Sequence, residues 1–511
     1  MIEAMMIERE IKFRLPEGRD AESVRAAVES AGFRLEPSGT IAHEDRYLDT
    51  EDWTLYRAGI ALRLRADGHR LRLEAKSLRS AETDSLARTE WAQDAPIGDP
   101  PWTAVEPGPV TGLLQPLEGL GAVKRLQVHA RVRNERECFR WLRGETLLGL
   151  LTVDHVSVPP ASFREIEVEL QNGAREALGE VRRAVEEQLG LHQTAETKLA
   201  AALIALGEKL PERDERAFAL DHADRLLDVA HKTFGRQLGR LFWNEPGTRL
   251  GVDPDYVHDM RVACRRLRTA LDVLAEGYPE TLRENLRGEL RWIGRALGRV
   301  RDLDVAIARV AALEEEGTPF ERPAFRIFAQ GLLVRRAARR LEMIERLDSE
   351  RFRTVASQAR ASVEAGPPAA TLAPEGVTPA YLIAPRIIEH WKKAMREAYE
   401  KAEQTMEEPD LHALRIAAKK ARYAIEYFAE LDGPGALRRA RRIATLQDFL
   451  GDHRDASLLL RRMKKYARTV PKKDRELVMG VGSALGSLER AVRIRRGDLR
   501  LAWERAIREE G

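Results

Sequence analysis

At 511 residues the chain is too long for one hydrophobic core and divides, at the usual domain size, into about two to four units. With 43% hydrophobic residues it can build such cores, while its 33% charged residues exceed the roughly 25% of an average soluble protein; Cys138 and Cys264 alone exclude a disulfide framework or a cysteine-built zinc site. The net charge of +3 hides an asymmetry, because residues 1–205 carry 27 Lys+Arg against 34 Asp+Glu and the remainder 58 against 48, so the second part points to a polyanionic partner.

From Met6 to Leu170 the text alternates in short segments, Ile7–Leu15, Ala61–Arg65, Leu71–Lys76 and Phe163–Leu170, separated by Gly and Pro. Period-two alternation of this kind predicts an antiparallel sheet or barrel. Two helical stretches interrupt it, around Ala21–Ala31 after a Pro16–Gly18 turn and around Ala174–Leu189, and a Pro/Gly-rich loop runs near Pro96–Gly112. The N-terminal fold class is therefore α+β. After a polar connector at Gly207–Arg216, apolar residues recur at three-and-four spacing and the chain reads as helical, with one Pro/Gly-rich break at Ala365–Pro379. No apolar run approaches the roughly 20 residues of a membrane span, and the acidic N-terminus with Glu3, Glu8 and Glu10 lacks a signal-sequence pattern. The expectation is a cytoplasmic protein.

The break separates two copies of one pattern. Val257–Leu271 aligns with Leu411–Ile425 at an offset of 154, and Leu297–Asp302 aligns with Leu450–Asp455 at 153. Two motifs repeating in order at nearly one spacing predict two related four-helix bundles. The expected domains are 1–206, a linker at 207–216, a first bundle at 217–364, a linker at 365–379 and a second bundle at 380–511.

Strand side chains alternate faces, which puts Glu8, Glu10 and Lys12 on one side of the first segment. Arg63 with Arg65, then Arg70, Arg72, Glu74 and Lys76, then Arg88 with Glu90, and finally Glu165, Glu167 and Glu169 repeat that arrangement. Periodicity leaves two solutions open: a charged outside over an apolar core, or a barrel with a charged lumen. Carboxylates on the first and a late strand suit hard cations, and Arg and Lys on the middle strands suit phosphate oxygens. Together they compose a phosphoryl-transfer site.

Glu8-Arg9-Glu10-Ile11-Lys12 resembles the Glu-x-Glu-x-Lys signature of the CYTH family, the triphosphate tunnel metalloenzymes. Tyr47–Thr50, Gly59–Arg65, Lys76, Arg88–Glu90, Asp154, Phe163–Glu167 and Lys198 follow in family order over residues 6–205. The resemblance implies a closed antiparallel barrel whose lumen holds a triphosphate. Glu8, Glu10, Asp154, Glu165 and Glu167 would bind Mg²⁺ or Mn²⁺, one ion holding the triphosphate and a second near the attacking water. Arg63, Arg65, Lys76, Arg88 and Lys198 would grip phosphate oxygens, and Lys12 would lie near the water and the terminal phosphorus. The family's further tunnel arginine falls within Arg131–Arg136, with Arg136 favoured and Arg133 kept beside it.

In the helical part His258, Arg261, Arg265 and Arg268 are spaced three, four and three, which aligns them along one helix face; His412, Arg415, Lys419 and Arg422 repeat the spacing. Cations one turn apart repel, so the stripes need acids such as Asp302, Asp304 and Asp455, or a ligand. These motifs, with Arg301–Asp304, Leu446-Gln447 and Gly451–Asp455, resemble the CHAD family over residues 217–505. That resemblance implies paired helical bundles with a basic groove, lined by the two stripes, that binds polyphosphate. The combined expectation is metal-dependent hydrolysis of inorganic triphosphate, with polyphosphate held by the helical part, possible association with polyphosphate granules, no membrane partner and no specific nucleic acid. The alternatives are action on a nucleoside or thiamine triphosphate, cyclisation of ATP, or a non-catalytic polyphosphate anchor.

Overall fold

The computed structural model describes residues 6–16, 18, 21–68, 70–79, 86–96, 105–173, 175–367, 374–493 and 496–507. Parts of the Pro16–Gly18 turn, of the Pro96–Gly112 loop and of the Ala365–Pro379 break lie outside the described residues. The chain forms two compact units, one of Met1–Glu212 with Asn244–Asp253 and one of Arg213–Trp243 with Pro254–Gly511.

The first unit contains β1 (Met6–Leu15), α1 (Ala21–Ser30), β2 (Arg34–Asp49), α2 (Thr54–Arg57), β3 (Ile60–Asp67), β4 (Arg70–Ser77), β5 (Leu86–Asp94), α3 (Pro109–Leu114), β6 (Gln127–Arg143), β7 (Thr146–Val158), β8 (Ala161–Leu170), α4 (Glu176–Leu189) and α5 (Lys198–Ala205). The strands close into an antiparallel barrel in the order β1-β5-β4-β3-β2-β6-β7-β8, with β8 returning to β1. Closure removes the edges that an open sheet would leave unpaired.

This closure decides between the two solutions that periodicity left open. Ile11, Phe13 and Leu15 of β1 and Ile166 and Val168 of β8 point outward and are buried against Val24 and Val28 of α1 and Val181 and Val185 of α4. Ile60, Leu62 and Leu64 of β3 do the same in a second outer cluster with Val110, Leu114 and Leu117. The apolar face is therefore outside, under helices, and the charged face lines the lumen. Inward-facing Tyr47, Val132, Val156 and Val158 pack against Leu199, Ala202 and Leu203 of α5, so this helix fills part of the barrel interior. Leu250 joins the outer cluster beside β3, which is why Asn244–Asp253 groups with the barrel although the sequence places it inside the first bundle.

The second unit is helical: α6 (Leu226–Leu250, its end counted with the barrel), α7 (Pro254–Val273), α8 (Glu280–Glu316), α9 (Glu321–Asp348), α10 (Glu350–Glu364), α11 (Ala380–Thr405), α12 (Glu408–Tyr427), α13 (Ala429–Asp432), α14 (Pro434–Ala467), α15 (Arg475–Val492) and α16 (Arg496–Ile507). Ser349 ends α9 in an extended conformation and caps α10 through its Oγ, which accepts from the Phe352 N–H at 3.2 Å. The first repeat thereby gains a helix, α10, beyond α6–α9, and α16 follows α15 in the second. Leu267, Leu271 and Leu274 lie in one core, which Phe428 from the end of α12 joins, and Leu414 and Ile425 lie in a second. A third core joins Leu303 and Val310 of α8, Phe325 and Leu332 of α9, Leu459 and Met463 of α14 and Leu488 of α15. No described helix is long and apolar enough to cross a membrane.

Candidate functional site

The lumen of the barrel holds a cavity of about 340 Å³ whose lining includes Glu8, Lys12, Arg63, Arg65, Lys76, Arg88, Arg136, Glu167 and Lys198. Register explains the convergence. Antiparallel pairing sets Lys12 opposite Glu167 across β1 and β8, Arg63 opposite Glu74 across β3 and β4, and Arg136 opposite Asp154 across β6 and β7. Each member of a directly opposed pair faces the same side of the sheet.

Two clusters divide the lumen. In the first, carboxylate oxygens of Asp154, Glu165 and Glu167 lie within 4.8 Å of one another. The Lys198 ammonium stands among them, 2.6 Å from Asp154 Oδ2, 2.6 Å from Glu165 Oε1 and 2.7 Å from Glu167 Oε1. Lys12 approaches Glu167 at 2.6 Å, and Arg136 donates to Asp154 Oδ1 and to Glu167 Oε2, each at 2.6 Å. Burial alone would raise the Glu167 carboxyl, but Lys12, Lys198 and Arg136 hold it well below the usual carboxylate range. Lys198 sits in the first turn of α5, begun by Thr197, whose Oγ1 accepts from the Ala200 N–H. A cation there meets the unfavourable positive end of the helix, and the three carboxylates offset that.

In the second cluster Lys76 pairs with Glu8, with Glu90 at 3.0 Å and with Glu10 at 3.5 Å; Glu10 also lies 3.8 Å from Arg88. Burial, with the neighbouring Glu90, raises the Glu8 carboxyl despite Lys76. Beside it, Asp45 takes two hydrogen bonds from Arg65, at 2.7 and 2.8 Å, and one from Arg63 at 3.5 Å. Burial opposes ionisation of Asp45, yet Arg63 and Arg65 hold its carboxyl far down.

One predicted lumen residue is misplaced. Arg133 points outward, 78% exposed, with Glu44 at 3.7 Å, because residues 131, 133 and 135 of β6 occupy the outer parity while Asn134 and Arg136 face in. Arg136 is thus the inward arginine of Arg131–Arg136. Of the weaker candidates, Arg72 lines the cavity, whereas Arg70 is exposed. Sequence reasoning missed Asp45, although His43, Asp45 and Tyr47 share a face on β2; all three are buried, and burial followed by Arg65 pushes His43 down to about 4.

In the second unit α7 and α12 lie side by side, joined by Arg265 Nε donating to the Tyr423 hydroxyl at 3.1 Å and by the Tyr427 hydroxyl donating to the Arg266 carbonyl at 2.8 Å. This brings Arg261 and Arg265 beside Arg415, and Arg265 and Arg268 beside Lys419, while His258 continues the first stripe and His412 and Arg422 the second. Arg422 has Glu426 at 3.3 Å and Arg261 has Asp302 at 4.0 Å, but among the described residues Arg265, Arg268, Arg415 and Lys419 have no ion pair. Asp304 pairs with Arg336 instead. Burial together with Arg454, Arg265 and Arg261 pushes Arg415 down to about 10, and burial with Arg265, Arg268 and Arg415 pushes Lys419 down to about 8. Burial and adjacent cations also lower His258 and His412, which favours their neutral forms.

Residues 6–203 match the family model of the CYTH domain and residues 232–464 that of the CHAD domain. The chain joins a CYTH domain to a CHAD domain. Solved structures similar to it include the CHAD domain from the plant Ricinus communis, 24% identical over 58% of this chain and 98% of that one, with a TM-score of 0.48. PptA from Streptomyces chartreusis is 18% identical over 55% of this chain and 100% of its own, with a TM-score of 0.46. A putative adenylyl cyclase from Hippeastrum, described as having a dominant triphosphatase activity, is 19% identical over 40% of this chain and 98% of its own, with a TM-score of 0.28. No match was found among curated proteins.

The CYTH domain makes the barrel a triphosphate tunnel of the triphosphatase or cyclase type, dependent on a divalent metal. The residues present fit such a metal. Asp154, Glu165 and Glu167 offer the oxygen donors that hard cations take. Moreover, Glu165 Oε2 is buried without a hydrogen-bond partner, with Arg14 at 3.9 Å.

Proposed function

We propose that the CYTH barrel hydrolyses inorganic triphosphate with Mg²⁺ or Mn²⁺, and that the CHAD part binds polyphosphate along the α7–α12 stripes. The observation that carries this reading is the lumen itself: eight cations, Lys12, Arg63, Arg65, Arg72, Lys76, Arg88, Arg136 and Lys198, interleave with carboxylates around one small cavity. A short chain of phosphates presents the same chemistry at every position and matches such a lining. Arg63, Arg65, Arg88 and Arg136 supply planar forks for phosphate oxygens, and Lys76 a point charge. Lys12, buried between Glu165 and Glu167, is positioned to hold the terminal phosphoryl group and orient a water for in-line attack. Asp154, Glu165, Glu167, Glu8 and Glu10 would hold divalent metal, which when bound lowers the pKa of water and neutralises charge on the phosphoryl oxygens.

The unpaired cations of α7 and α12 support the second half of the reading, because a polyanion laid between them relieves the repulsion that lowers Arg415 and Lys419. The test is phosphate release from tripolyphosphate, ATP and long-chain polyphosphate, by wild type and a Glu8→Ala/Glu10→Ala variant, with and without Mg²⁺ or Mn²⁺. Metal-dependent release selective for tripolyphosphate and lost in the variant is expected. Preferential turnover of ATP would move the assignment to an organic triphosphate, and binding without release from any substrate would leave a polyphosphate anchor.

A further inference from the structure

The position of the Lys198 ammonium bears on how metal and substrate enter. It occupies the centre of the three carboxylates best suited to a divalent ion, at 2.6, 2.6 and 2.7 Å from three different side chains. Those distances place it where a cation bound by the same oxygens would sit. The side chain is only 7% exposed, and Glu165 is fully buried. Lys12 and Arg136 bond the same acids, so three carboxylates meet three cations and the cluster is neutral as it stands.

We propose that Lys198 is the resident counter-ion of the Asp154–Glu165–Glu167 cluster, excluding divalent metal from the free tunnel and releasing the carboxylates only when triphosphate draws its ammonium onto phosphate oxygens. This rests on the reading of the lumen as a triphosphate site. The physical argument is a balance of charges. A divalent ion added to a neutral buried cluster leaves excess positive charge in a poorly solvated space, and the ammonium has to leave the oxygens before they can accept a second cation. Triphosphate supplies the missing negative charge and a new partner for Lys198, which borders the cavity as well as the acids. Metal affinity and triphosphate affinity are then coupled through one side chain, and by linkage each strengthens the other by the same factor. Lys76, which bonds Glu8, Glu10 and Glu90, touches none of the three acids and is not placed to play this part.

The test needs no turnover. Mn²⁺ binding to phosphate-free protein is followed through the electron paramagnetic resonance of free Mn²⁺, and thermal melting is recorded in chelator and in Mn²⁺. Lys198→Met is expected to bind Mn²⁺ more tightly than wild type by on the order of tenfold, the size of a typical coupling. It should also melt lower than wild type in chelator and recover more than wild type does when Mn²⁺ is added. Lys198→Arg, which keeps the charge, should not gain Mn²⁺ affinity. Lys198→Gln, closer in length and polarity, is read in the same way if the Met variant does not fold. Equal or weaker Mn²⁺ affinity in the neutral variants, or a lower melting point that Mn²⁺ does not restore, would overturn the proposal and leave Lys198 as a structural ion-pair partner. Whether wild type hydrolyses tripolyphosphate is read separately, so failure of the substrate assignment would not be mistaken for failure of the counter-ion role.

Discussion

The barrel lumen and the α7–α12 stripes are both built from Arg and Lys, yet they handle charge in opposite ways. In the lumen each of Lys12, Arg63, Arg65, Lys76, Arg136 and Lys198 has a carboxylate within ion-pair distance. On the helices Arg265, Arg268, Arg415 and Lys419 have none among the described residues, and the charges that act most on Arg415 and Lys419 are other cations. The contrast follows from solvation. A closed barrel buries its charges, and buried charges need partners on hand, whereas a half-buried stripe can leave cations to water and small ions until a polyanion arrives. The lumen is therefore expected to exchange partners on binding, and the stripes to acquire them.

The largest expected effect comes from breaking the lumen's pairing. Asp45→Ala leaves the Arg63 and Arg65 guanidiniums with Glu74 as their remaining carboxylate, at a cost of about 3 kcal/mol, the low end for breaking a buried pair, because Glu74 still offsets part of their charge. Denaturant unfolding measures this, and added tripolyphosphate should recover part of it by replacing the carboxylate. Next in size, Arg136→Ala should lower triphosphate turnover by about a hundredfold, as loss of one preorganised donor does. Arg133→Ala, on the outer face, should change turnover little and stability by less than about 0.5 kcal/mol. Equal losses in the two variants would show that strand parity does not decide which arginine acts.

On the helices the sign of the stability effect should reverse. Arg415→Ala should weaken polyphosphate binding by roughly tenfold, the worth of one charge-assisted contact, while leaving the melting temperature unchanged or raising it, since a repelling cation has gone. The smallest effect is with pH. Lys419 loses its proton at about 8 in the free protein, and a bound polyanion favours the charged form, so binding takes up a proton above that pH. Affinity should hold below pH 8 and fall roughly three- to tenfold between pH 8 and 9.5, and Lys419→Arg should flatten the profile.

Much of this was legible in the sequence, for identifiable reasons. Alternation on β1 and β8 separated Glu8, Glu10, Lys12, Glu165 and Glu167 from Ile11, Phe13, Ile166 and Val168, but only closure of the sheet showed which face was inside. The same period-two logic sorts Arg133 from Arg136; the choice needed the register of β6, which a motif with several arginines does not carry. Asp45 was missed because a lone acid in His43–Asp45–Tyr47 gains meaning only from the two arginines that β3 sets across from it. In the helical part the repeats were visible because both copies keep their chemistry at one spacing. The third core was not, since it is assembled from ends of helices distant in sequence.

That third core has a consequence for how the duplicated region comes apart. Leu303, Val310, Phe325 and Leu332 from one copy and Leu459, Met463 and Leu488 from the other bury one another's surface. Neither copy is complete without the other's contribution, because each alone would expose several side chains worth about 1.5–3 kcal/mol apiece when buried. The two halves should therefore melt in a single cooperative transition, and a fragment holding one copy should be aggregation-prone. A doubled sequence would then fold and unfold as one unit.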